Sequence, residues 1–397
     1  MATGCLAFQY ALSPTVKQER ALRALLAEQC RLYNAALEER CGAWRLERRT
    51  VTRFDQYKTL TGMADQEPAL LAFGVTVARG TLLRLDRAFK AFFRRVAAGD
   101  APGFPRFRSA SRFDSVEWPD AAGWRLNEPS RRLHLRGVGH VKVGLHRTLR
   151  GTPKTITVSR IGRRWKVTFF CVDVPARELP PTGRSVGIDV GVTVAVALSD
   201  GRLINDPRHT AASAAAVAAA QQVVAARRRG SRRRAKAVEA VAVLQRRITN
   251  QRRDFLHKQS RLLVNEHDLI VIEDLRIANM TRRPKPVPDG SGEWRPNGAA
   301  AKAGLNRSIL DAGWATLRQM LAYKAEEAGR QLIVVAPQYS SQQCAECGHV
   351  AKESRRGAGF DCGACGHHDH ADVNAAVNIL RAGQAQRLAR GAKRSVA

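Results

Sequence analysis

Two closely spaced pairs of cysteines near the carboxyl end constrain the fold of this chain more than any other feature. The pairs are Cys344/Cys347 and Cys362/Cys365, each with two residues between the thiols and a glycine directly afterwards. One tight turn can present both sulfurs of such a pair to a single ion, and four soft ligands in a tetrahedron suit Zn²⁺. Because four cysteines complete the coordination shell, we predict a structural zinc ribbon with no open position for water.

The net charge of the chain limits its partners. The 397 residues include 66 Lys and Arg against 35 Asp and Glu, a formal net charge of +31. Such a surface repels itself unless a polyanion offsets the charge, so we expect a nucleic-acid partner. No apolar run reaches the ~18 residues that span a bilayer, and the N-terminus lacks a signal pattern. These features predict a cytoplasmic protein, and the length allows two or three domains.

The first half of the chain shows helical and strand patterns in an order that suggests an insertion. The first ten residues are typical of a strand, and a helix follows, with Ser13 predicted as its N-cap and Pro14 at its first position. After a second, basic helix, short runs with a period of two residues occupy residues 131–174. Because one strand precedes the helices and the others follow them, we predict a β-barrel-like domain with an inserted helical block.

From Arg184 onwards the pattern favours an α/β core of the ribonuclease-H type. Residues 186–204 are typical of a meander of apolar strands, and a long basic helix, hinged near Gly230, comes after them. The strands "DLIVIEDL" and "RQLIVVAP" then alternate with a further helix. The Pro- and Gly-rich stretch 281–304 is predicted to be a mobile loop.

Three acidic residues are candidates for one catalytic metal site. Asp189 interrupts an apolar strand, and Glu273 stands where the strand "LIVI" ends. A carboxylate in a buried strand is costly unless it is paired or binds a cation, so these two positions indicate a shared ion. Asp372 opens the last helix and can supply a third ligand, although aspartate at such a position is usually a helix cap. Mg²⁺ prefers oxygen ligands and suits two-metal cleavage of phosphodiesters.

Several motifs resemble those of the TnpB proteins of bacterial insertion sequences, the transposon-encoded relatives of type V CRISPR effectors. They are "GIDVGVTVAVALSDG", "IVIEDLRIANMT", "SSQQCAECGHVAKES" and "ADVNAAVNIL", with "CRLYNAALEER" and "PGFPRFRS" in the first half. The resemblance implies a RuvC-like nuclease domain whose acidic triad falls on Asp189, Glu273 and Asp372. It also implies a wedge-type β-barrel, an inserted helical recognition domain and a guide RNA from the transposon end.

The patterns and the resemblance together predict a multidomain α+β chain. Residues 1–12 and 101–182 are expected to form the wedge-type β-barrel, and residues 13–100 the helical recognition domain inserted into it. Residues 183–340 and 371–397 are expected to form the RuvC-like nuclease core. The zinc ribbon, residues 341–370, is inserted into this core as a module that binds target nucleic acid.

Basic residues within these segments are candidates for nucleic-acid contact, although a solvated basic face is an equally good interpretation of any one of them. The candidates are Arg94, Arg95, Arg106, Arg252, Arg253, Arg307 and Lys352.

The function that the resemblance implies is RNA-guided cleavage of double-stranded DNA beside a short motif, by a Mg²⁺-dependent monomer at the bacterial nucleoid. Three alternatives remain open. One is a miniature type V CRISPR effector, and another is a nuclease-inactive RNA-guided repressor. The third is a DNA transposase, whose acids usually come in the order Asp, Asp, Glu, whereas this chain has Asp, Glu, Asp.

Overall fold

The computed structural model describes residues 3–62, 68–289, 293–295 and 297–395. The chain divides into two compact units, Met1–Pro175 and Ala176–Ala397, and each has its own hydrophobic core. The predicted domains also include residues 1–2, 63–67 and 396–397, which lie outside the described residues. No helix within the described ranges is both long and apolar enough to cross a membrane.

The first unit contains a strand, then helices, then further strands. In chain order these are β1 (Thr3–Ser13), α1 (Val16–Glu47), α2 (Arg53–Gly62), α3 (Pro68–Leu71), α4 (Val75–Ala97), β2 (Ser115–Trp118), β3 (Trp124–Asn127), β4 (Arg132–Leu135), β5 (Gly139–Gly144), β6 (Thr152–Ile161) and β7 (Arg164–Pro175).

The described strands of this unit form one sheet in the order β2-β6-β7-β1-β5-β4-β3. β1 pairs antiparallel with both β5 and β7, so the strand that precedes the helices lies in the middle of the sheet. The period of two residues is visible in β7, where Trp165, Val167, Phe169 and Cys171 are buried. Alternate side chains lie on the same face of a strand, so this face builds the core of the unit.

The two edge strands of this sheet are neighbours in the sequence. β2 ends at Trp118 and β3 begins at Trp124, with the short 3₁₀ turn Ala121–Gly123 between them. Both tryptophans are buried. Because so short a link keeps the two edges close together, the sheet is nearly closed where the sequence predicts a barrel-like domain.

The first helix begins later than the sequence predicts. Thr15 is its N-cap, because the Thr15 hydroxyl accepts a hydrogen bond from the backbone N–H of Gln18 at 3.3 Å. The Gln18 side chain accepts in return from the backbone N–H of Thr15 at 3.0 Å. This reciprocal capping box satisfies two free donors. Ser13 is the last residue of β1 and Pro14 precedes the helix, so both predicted positions were wrong.

The second unit contains a strand meander, a helical region, further α/β elements and the cysteine-rich segment. In chain order its elements are β8 (Ser185–Asp189), β9 (Val194–Leu198), β10 (Leu203–Asn205), α5 (His209–Ala212), α6 (Ala214–Ala225), α7 (Arg232–Glu266), β11 (Leu269–Glu273), α8 (Ile277–Met280), β12 (Val287–Pro288), β13 (Trp294–Arg295), α9 (Ala299–Ala312), α10 (Trp314–Glu327), β14 (Gln331–Val335), β15 (Arg355–Arg356), β16 (Gly359–Asp361), β17 (His368–His370) and α11 (Ala371–Ser395).

The predicted loop 281–304 is only partly described. Residues 290–292 and 296 lie outside the described residues. Within the rest of this stretch, β12 pairs antiparallel with β13, and residues from Ala299 onwards belong to α9. The prediction of a loop was therefore wrong for its last residues.

The main sheet of the second unit has the strand order β10-β9-β8-β11-β14 in the described part of the chain. β8, β9 and β10 form an antiparallel meander, whereas β11 runs parallel to both β8 and β14. Every residue of β9 and β11 is buried. Near-continuous burial is typical of a sheet that is covered on both faces.

The last helix, α11, packs directly on this sheet through two glycines. A Cβ atom added at Gly187 in β8 would lie 2.0 Å from the carbonyl oxygen of Ala376. One added at Gly383 would lie 2.4 Å from the side chain of Val271 in β11. Only glycine permits backbones and side chains to approach so closely. The glycines therefore hold α11 against the two strands that end in Asp189 and Glu273.

The basic helical region consists of two helices that meet near the predicted hinge. α6 ends at Ala225, and the chain turns through Gly230, whose φ is +82°. Ser231 then caps α7, because its side chain accepts a hydrogen bond from the backbone N–H of Arg234 at 3.1 Å. Glycine adopts this left-handed backbone conformation readily, which explains why the chain changes direction at this position.

Candidate active site and metal centre

Asp189 and Glu273 lie at the ends of two adjacent parallel strands. The register of β8 and β11 pairs Ile188 with Ile272, and each acid is the next residue of its strand. Neighbouring strands are about 4.8 Å apart, so the two carboxylates lie side by side at the carboxyl ends of β8 and β11. Glu273 is buried, with 8% of its surface exposed, and Asp189 is partly buried.

Asp372 reaches the same edge from α11. It lies in the first turn of that helix, which the contact between Gly187 and Ala376 holds against β8. A Cβ atom added at Gly191, two residues after Asp189, would lie 4.0 Å from Oδ2 of Asp372. The structure therefore brings the three acids together at one edge of the sheet.

The electrostatics of the site reflect this crowding. The pKa of Asp189 is raised to about 7, first by burial and then by the negative charges of Glu273 and Asp372. Burial also raises the pKa of Glu273, although a hydrogen bond from the Ser340 hydroxyl opposes that shift. A cation bound beside these carboxyl groups would favour their ionised forms, so the raised pKa values are typical of a site that binds a positive ion.

The Asp372 carboxylate forms an ion pair with an arginine of the cysteine-rich segment. The guanidinium of Arg355 in β15 donates to Oδ1 of Asp372 at 2.7 Å. The positive charge of Arg355 also lowers the pKa of Asp189, against the larger effects that raise it. Arg355 thus supplies a positive charge to the acidic cluster.

The structure argues against a role for Asp372 as the cap of its own helix. Among the described residues, no backbone N–H of α11 donates to its carboxylate. The backbone N–H of Asp372 instead donates to Nδ1 of His370 at 3.2 Å. His370 therefore takes a capping position, and the Asp372 side chain is directed elsewhere.

The donor set at the sheet edge fits a hard divalent cation. Asp189, Glu273 and Asp372 offer only carboxylate oxygens, which is the ligand type that Mg²⁺ prefers. Their oxygens do not form a set within 4.8 Å of one another in the described part of the chain. A cation bound there would compete with Arg355, whose guanidinium donates to Oδ1 of Asp372.

The four cysteines, by contrast, form a compact cluster. Their sulfurs all lie within 4.8 Å of one another, with Cys344 3.7 Å from Cys365 and Cys347 3.6 Å from Cys362. Hydrogen bonds from the backbone N–H of Cys365, and then of Ala364, lower the pKa of the Cys362 thiol, whereas the neighbouring thiols keep the pKa of Cys365 above its usual value. A thiolate is the form that binds zinc, so the cluster fits that ion.

The two cysteine pairs have the same backbone geometry. The N–H groups of Gly348 and Gly366 donate to the carbonyls of Cys344 and Cys362 at 3.0 and 2.9 Å. Both glycines have a positive φ, +78° and +73°, which explains the glycine after each pair. The pairs are therefore two copies of one turn, and Phe360 packs as a fully buried side chain beside Cys344 and Cys362.

Two asparagines of α11 that were not among the predicted site residues attach the cysteine-rich segment to that helix. The buried side chain of Asn374 accepts from the N–H of Ala345 and donates to the carbonyl of Gln343, both at 2.8 Å. Asn378 donates to the carbonyls of Gln343, at 2.7 Å, and Ser340, at 3.1 Å. Two asparagines four residues apart on a buried helical face were the available signal.

The basic candidates fall into two groups. Those with exposed side chains are Arg94, Arg106, Arg253, Arg307 and Lys352. Arg95 instead donates to the carbonyls of Pro102 and Gly103 at 2.7 and 3.0 Å, and Arg252 donates to Asp311 at 3.0 Å. These two arginines have structural partners within their own units.

Comparison with known proteins decides the family. The chain is 36% identical over 393 residues to a protein of Streptomyces pristinaespiralis named "Putative RNA-guided DNA endonuclease", with 96% of this chain and 89% of the relative covered. It is 34% identical over 306 residues to "Putative RNA-guided DNA endonuclease InsQ" of Escherichia coli (strain K12), with 77% and 73% covered. The chain belongs to the TnpB family.

Two family models match separate parts of this TnpB chain. Residues 169–283 match a model described as "Probable transposase", and residues 314–379 match "Cas12f1-like, TNB domain". The second match contains the four cysteines and Asp372.

A solved structure, "Cryo-EM structure of the Cas12f1-sgRNA-target DNA complex", also resembles the TnpB chain. The TM-score is 0.57 at 13% identity, covering 95% of this chain and 98% of that one. At this identity the likeness supports a shared multidomain α+β fold.

Proposed function

We propose that this chain is an RNA-guided DNA endonuclease that hydrolyses phosphodiester bonds at Asp189, Glu273 and Asp372. The observation that carries the proposal is the meeting of three carboxylates at one sheet edge, where the pKa of Asp189 is raised to about 7. Two relatives whose alignments cover most of the chain are named as RNA-guided DNA endonucleases.

The proposed fold of the catalytic unit is RuvC-like. Its support is the antiparallel meander β8–β10 followed by the parallel strands β11 and β14. We assign residues 183–340 and 371–397 to this nuclease domain and residues 341–370 to the zinc ribbon. We assign residues 1–12 and 101–182 to the wedge-type β-barrel, of which residues 176–182 belong to the second unit, and residues 13–100 to the helical recognition domain.

The residues of the site have distinct tasks in this proposal. Asp189 and Glu273 are held by paired strands, so their positions change little when a cation enters. Asp189 must lose its proton before it can serve as a ligand, which the charge of an entering cation favours. Asp372 would be a third ligand, and its carboxylate would then be shared between the cation and Arg355, which donates to Oδ1. Bound Mg²⁺, as two ions, would activate water and stabilise charge on the phosphate.

The cysteine cluster is proposed to hold a structural zinc ion. Four thiolates fill a tetrahedral shell, so the ion would fold the ribbon and take no part in hydrolysis. The support is the compact set of four sulfurs and the two matching turns around them.

The proposed partners are a guide RNA from the transposon end and a double-stranded DNA target beside a short motif. The net charge of +31 and the exposed basic side chains support binding to both. Pairing between guide and target would read the sequence, while the protein contacts the backbone. We place the protein, as a monomer, in the bacterial cytoplasm at the nucleoid.

The test is a set of near-isosteric substitutions at the three acids. Asp189→Asn, Glu273→Gln and Asp372→Asn should each abolish cleavage of guide-matched plasmid DNA in Mg²⁺, because each removes a charge that would hold the cation. Guide-dependent DNA binding, measured by gel shift, should persist. Asp200→Asn, in the turn after β9, is the control and should cleave normally. A normal cleavage rate in any of the three variants would remove that residue from the site.

A miniature type V effector is the second candidate, because the fold resembles that of Cas12f1. The genomic context of the gene distinguishes the two functions, since an adjacent CRISPR repeat array indicates the effector and an adjacent transposon end indicates the first proposal. A wild-type protein that binds matched DNA without cutting it would instead support the repressor.

A further inference from the structure

A cavity of about 320 Å³ opens directly beside Glu273. It lies between α10 and the ends of the strands that carry the proposed metal ligands. Val190 follows Asp189, Ile272 precedes Glu273, and Trp314 begins α10; all three side chains are buried and line the cavity. Its volume falls within the range of pockets that hold small ligands.

The shape of the cavity follows from small residues on one face of α10. Ala315, Gln319 and Ala322 are exposed and line it, at the spacing of successive helical turns. The two alanines leave room that larger side chains would fill. Trp314 is fixed in the wall because its indole N–H donates to the carbonyl of Gly191 at 3.2 Å.

Polar groups are restricted to a few positions around these apolar walls. Arg318 lines the cavity, and its half-exposed guanidinium is oriented by an ion pair with Asp274. Gln319 offers both a donor and an acceptor. A ligand with a flat apolar ring would pack against these walls. Polar atoms at the edge of the ring would pair with the amide of Gln319, and a negative charge beside the ring would pair with the guanidinium of Arg318.

We propose that this cavity holds one unpaired base of the DNA strand that is being cut. The inference rests on the proposed function, because a strand whose phosphate lies at the carboxylates has its bases within reach of the adjoining cavity. The apolar walls would pack against the base, Gln319 would meet its polar edge, and Arg318 would meet a neighbouring phosphate. Glu273 marks the boundary between the base site and the cleavage site.

This arrangement has a consequence for the form of the substrate. A base in the cavity has left its stack and its pair, which costs a few kcal/mol in a duplex and far less in a displaced single strand. The base site therefore makes the nuclease select single-stranded DNA. The selection is independent of guide pairing, since it acts on one nucleotide beside the cut.

The decisive experiment measures how binding of a single strand depends on the position of one abasic site. The full chain, carrying its copurified RNA and Asp189→Asn to prevent cutting, is titrated with fluorescent single-stranded oligonucleotides in Mg²⁺. Each oligonucleotide has one abasic site at a different position. We expect one position at which the abasic site weakens binding about tenfold, which is the typical loss for one stacked base.

Variants assign that loss to the cavity. Ala322→Phe fills the cavity, so intact and abasic strands should bind alike. Ala303→Phe, at an exposed position of α9 outside the cavity, should keep the tenfold difference. Ala315→Leu gives a smaller filling if Ala322→Phe melts at a lower temperature than the control. Gln319→Leu should change which base binds best at that position.

Three results would overturn the base site. The first is that no position of the abasic site weakens binding, and the second is that the loss persists in both filled variants. The third is a change in the sedimentation mass of a filled variant, which would mark the cavity as a contact between copies. Cleavage of matched DNA by the wild type, measured separately, tests the proposed function, so that either claim can fail alone.

Discussion

Asp189 combines a cost in stability with a proposed role in chemistry. Burial, then the charges of Glu273 and Asp372, raise its pKa from 3.8 to about 7. The folded protein therefore binds an extra proton between these two values, so the stability of the Mg²⁺-free protein falls as pH rises through this window. Above pH 7 the full penalty remains. A bound cation would offset it.

We expect Asp189→Asn to stabilise the Mg²⁺-free protein at pH 8 by roughly 1–3 kcal/mol. The effect should be much smaller near pH 4, where the folded carboxyl is neutral and the unfolded one, with its usual pKa of 3.8, is only about half ionised. Denaturant unfolding at the two pH values, with zinc retained, measures the difference. Asp200→Asn is a control of opposite sign. Burial raises the pKa of Asp200, but hydrogen bonds from Arg202 outweigh that effect and lower it. Destabilisation by Asp189→Asn at pH 8 would contradict the expectation.

Arg355 is expected to compete with the cation for Asp372. Replacing it with methionine removes the charge that contacts Oδ1, so Mn²⁺, as a spectroscopic substitute for Mg²⁺, should bind about three- to tenfold more tightly, a gain of ~1 kcal/mol. Titration followed by electron paramagnetic resonance measures this without cleavage. Arg356→Met removes the same charge from the exposed neighbouring position and should leave the affinity unchanged. Equal affinities in the two variants would show that Arg355 does not compete.

The sequence indicates some of these residues and conceals others for physical reasons. Asp189 and Glu273 stand out because an acid in an apolar strand conflicts with its neighbours, which is visible locally. Asp372 needed the family resemblance, because its position alone is typical of a cap. Arg355 looks like any basic surface residue, since its partner lies 17 positions away. Contacts between distant segments leave no pattern in a single sequence.

At the scale of elements, local periodicity explains most of what the sequence predicts. The period of two residues indicated β6 and β7, and the apolar runs indicated β9 and β11. The start of α1 was misplaced because the capping box of Thr15 and Gln18 competes with the Ser-Pro pattern beside it. The cavity on α10 was invisible, because it depends on which helical face the sheet leaves uncovered.

The proposed zinc ribbon gives a prediction at this scale. Cys362→Ser should release one zinc ion per chain and lower the thermal stability of the ribbon, because metal binding energy is folding energy in such modules. Zinc content by atomic absorption and melting by circular dichroism measure the two effects. Cys171→Ser is the control, since this buried thiol lies in β7 and should change stability without changing zinc content. Unchanged zinc stoichiometry in Cys362→Ser would count against the ribbon.

At the scale of the whole molecule, the net charge of +31 predicts the salt dependence of binding. Lys and Arg contacts to phosphate release counterions, so the affinity for DNA should fall by roughly 10³-fold between 50 and 200 mM salt. Fluorescence anisotropy across this range measures the slope. Arg94→Gln with Arg106→Gln should make the slope shallower, whereas Arg252→Gln should not, because Arg252 is paired with Asp311. A flat dependence would leave the charge unexplained.

Asn374 and Asn378 connect the cysteine-rich segment to α11, the helix that presents Asp372, so the two proposed metal sites share one helix. Arg355 closes a second connection between the same parts. Thermodynamic linkage is reciprocal. If zinc in the cysteine cluster raised the affinity of the carboxylates for a cation, a cation at the carboxylates would raise the affinity of the cluster for zinc by the same factor. If the ribbon lost its proposed zinc ion, the hydrogen bonds of Asn374 and Asn378 would weaken and α11 would loosen, so a damaged ribbon would also disable the proposed cleavage site.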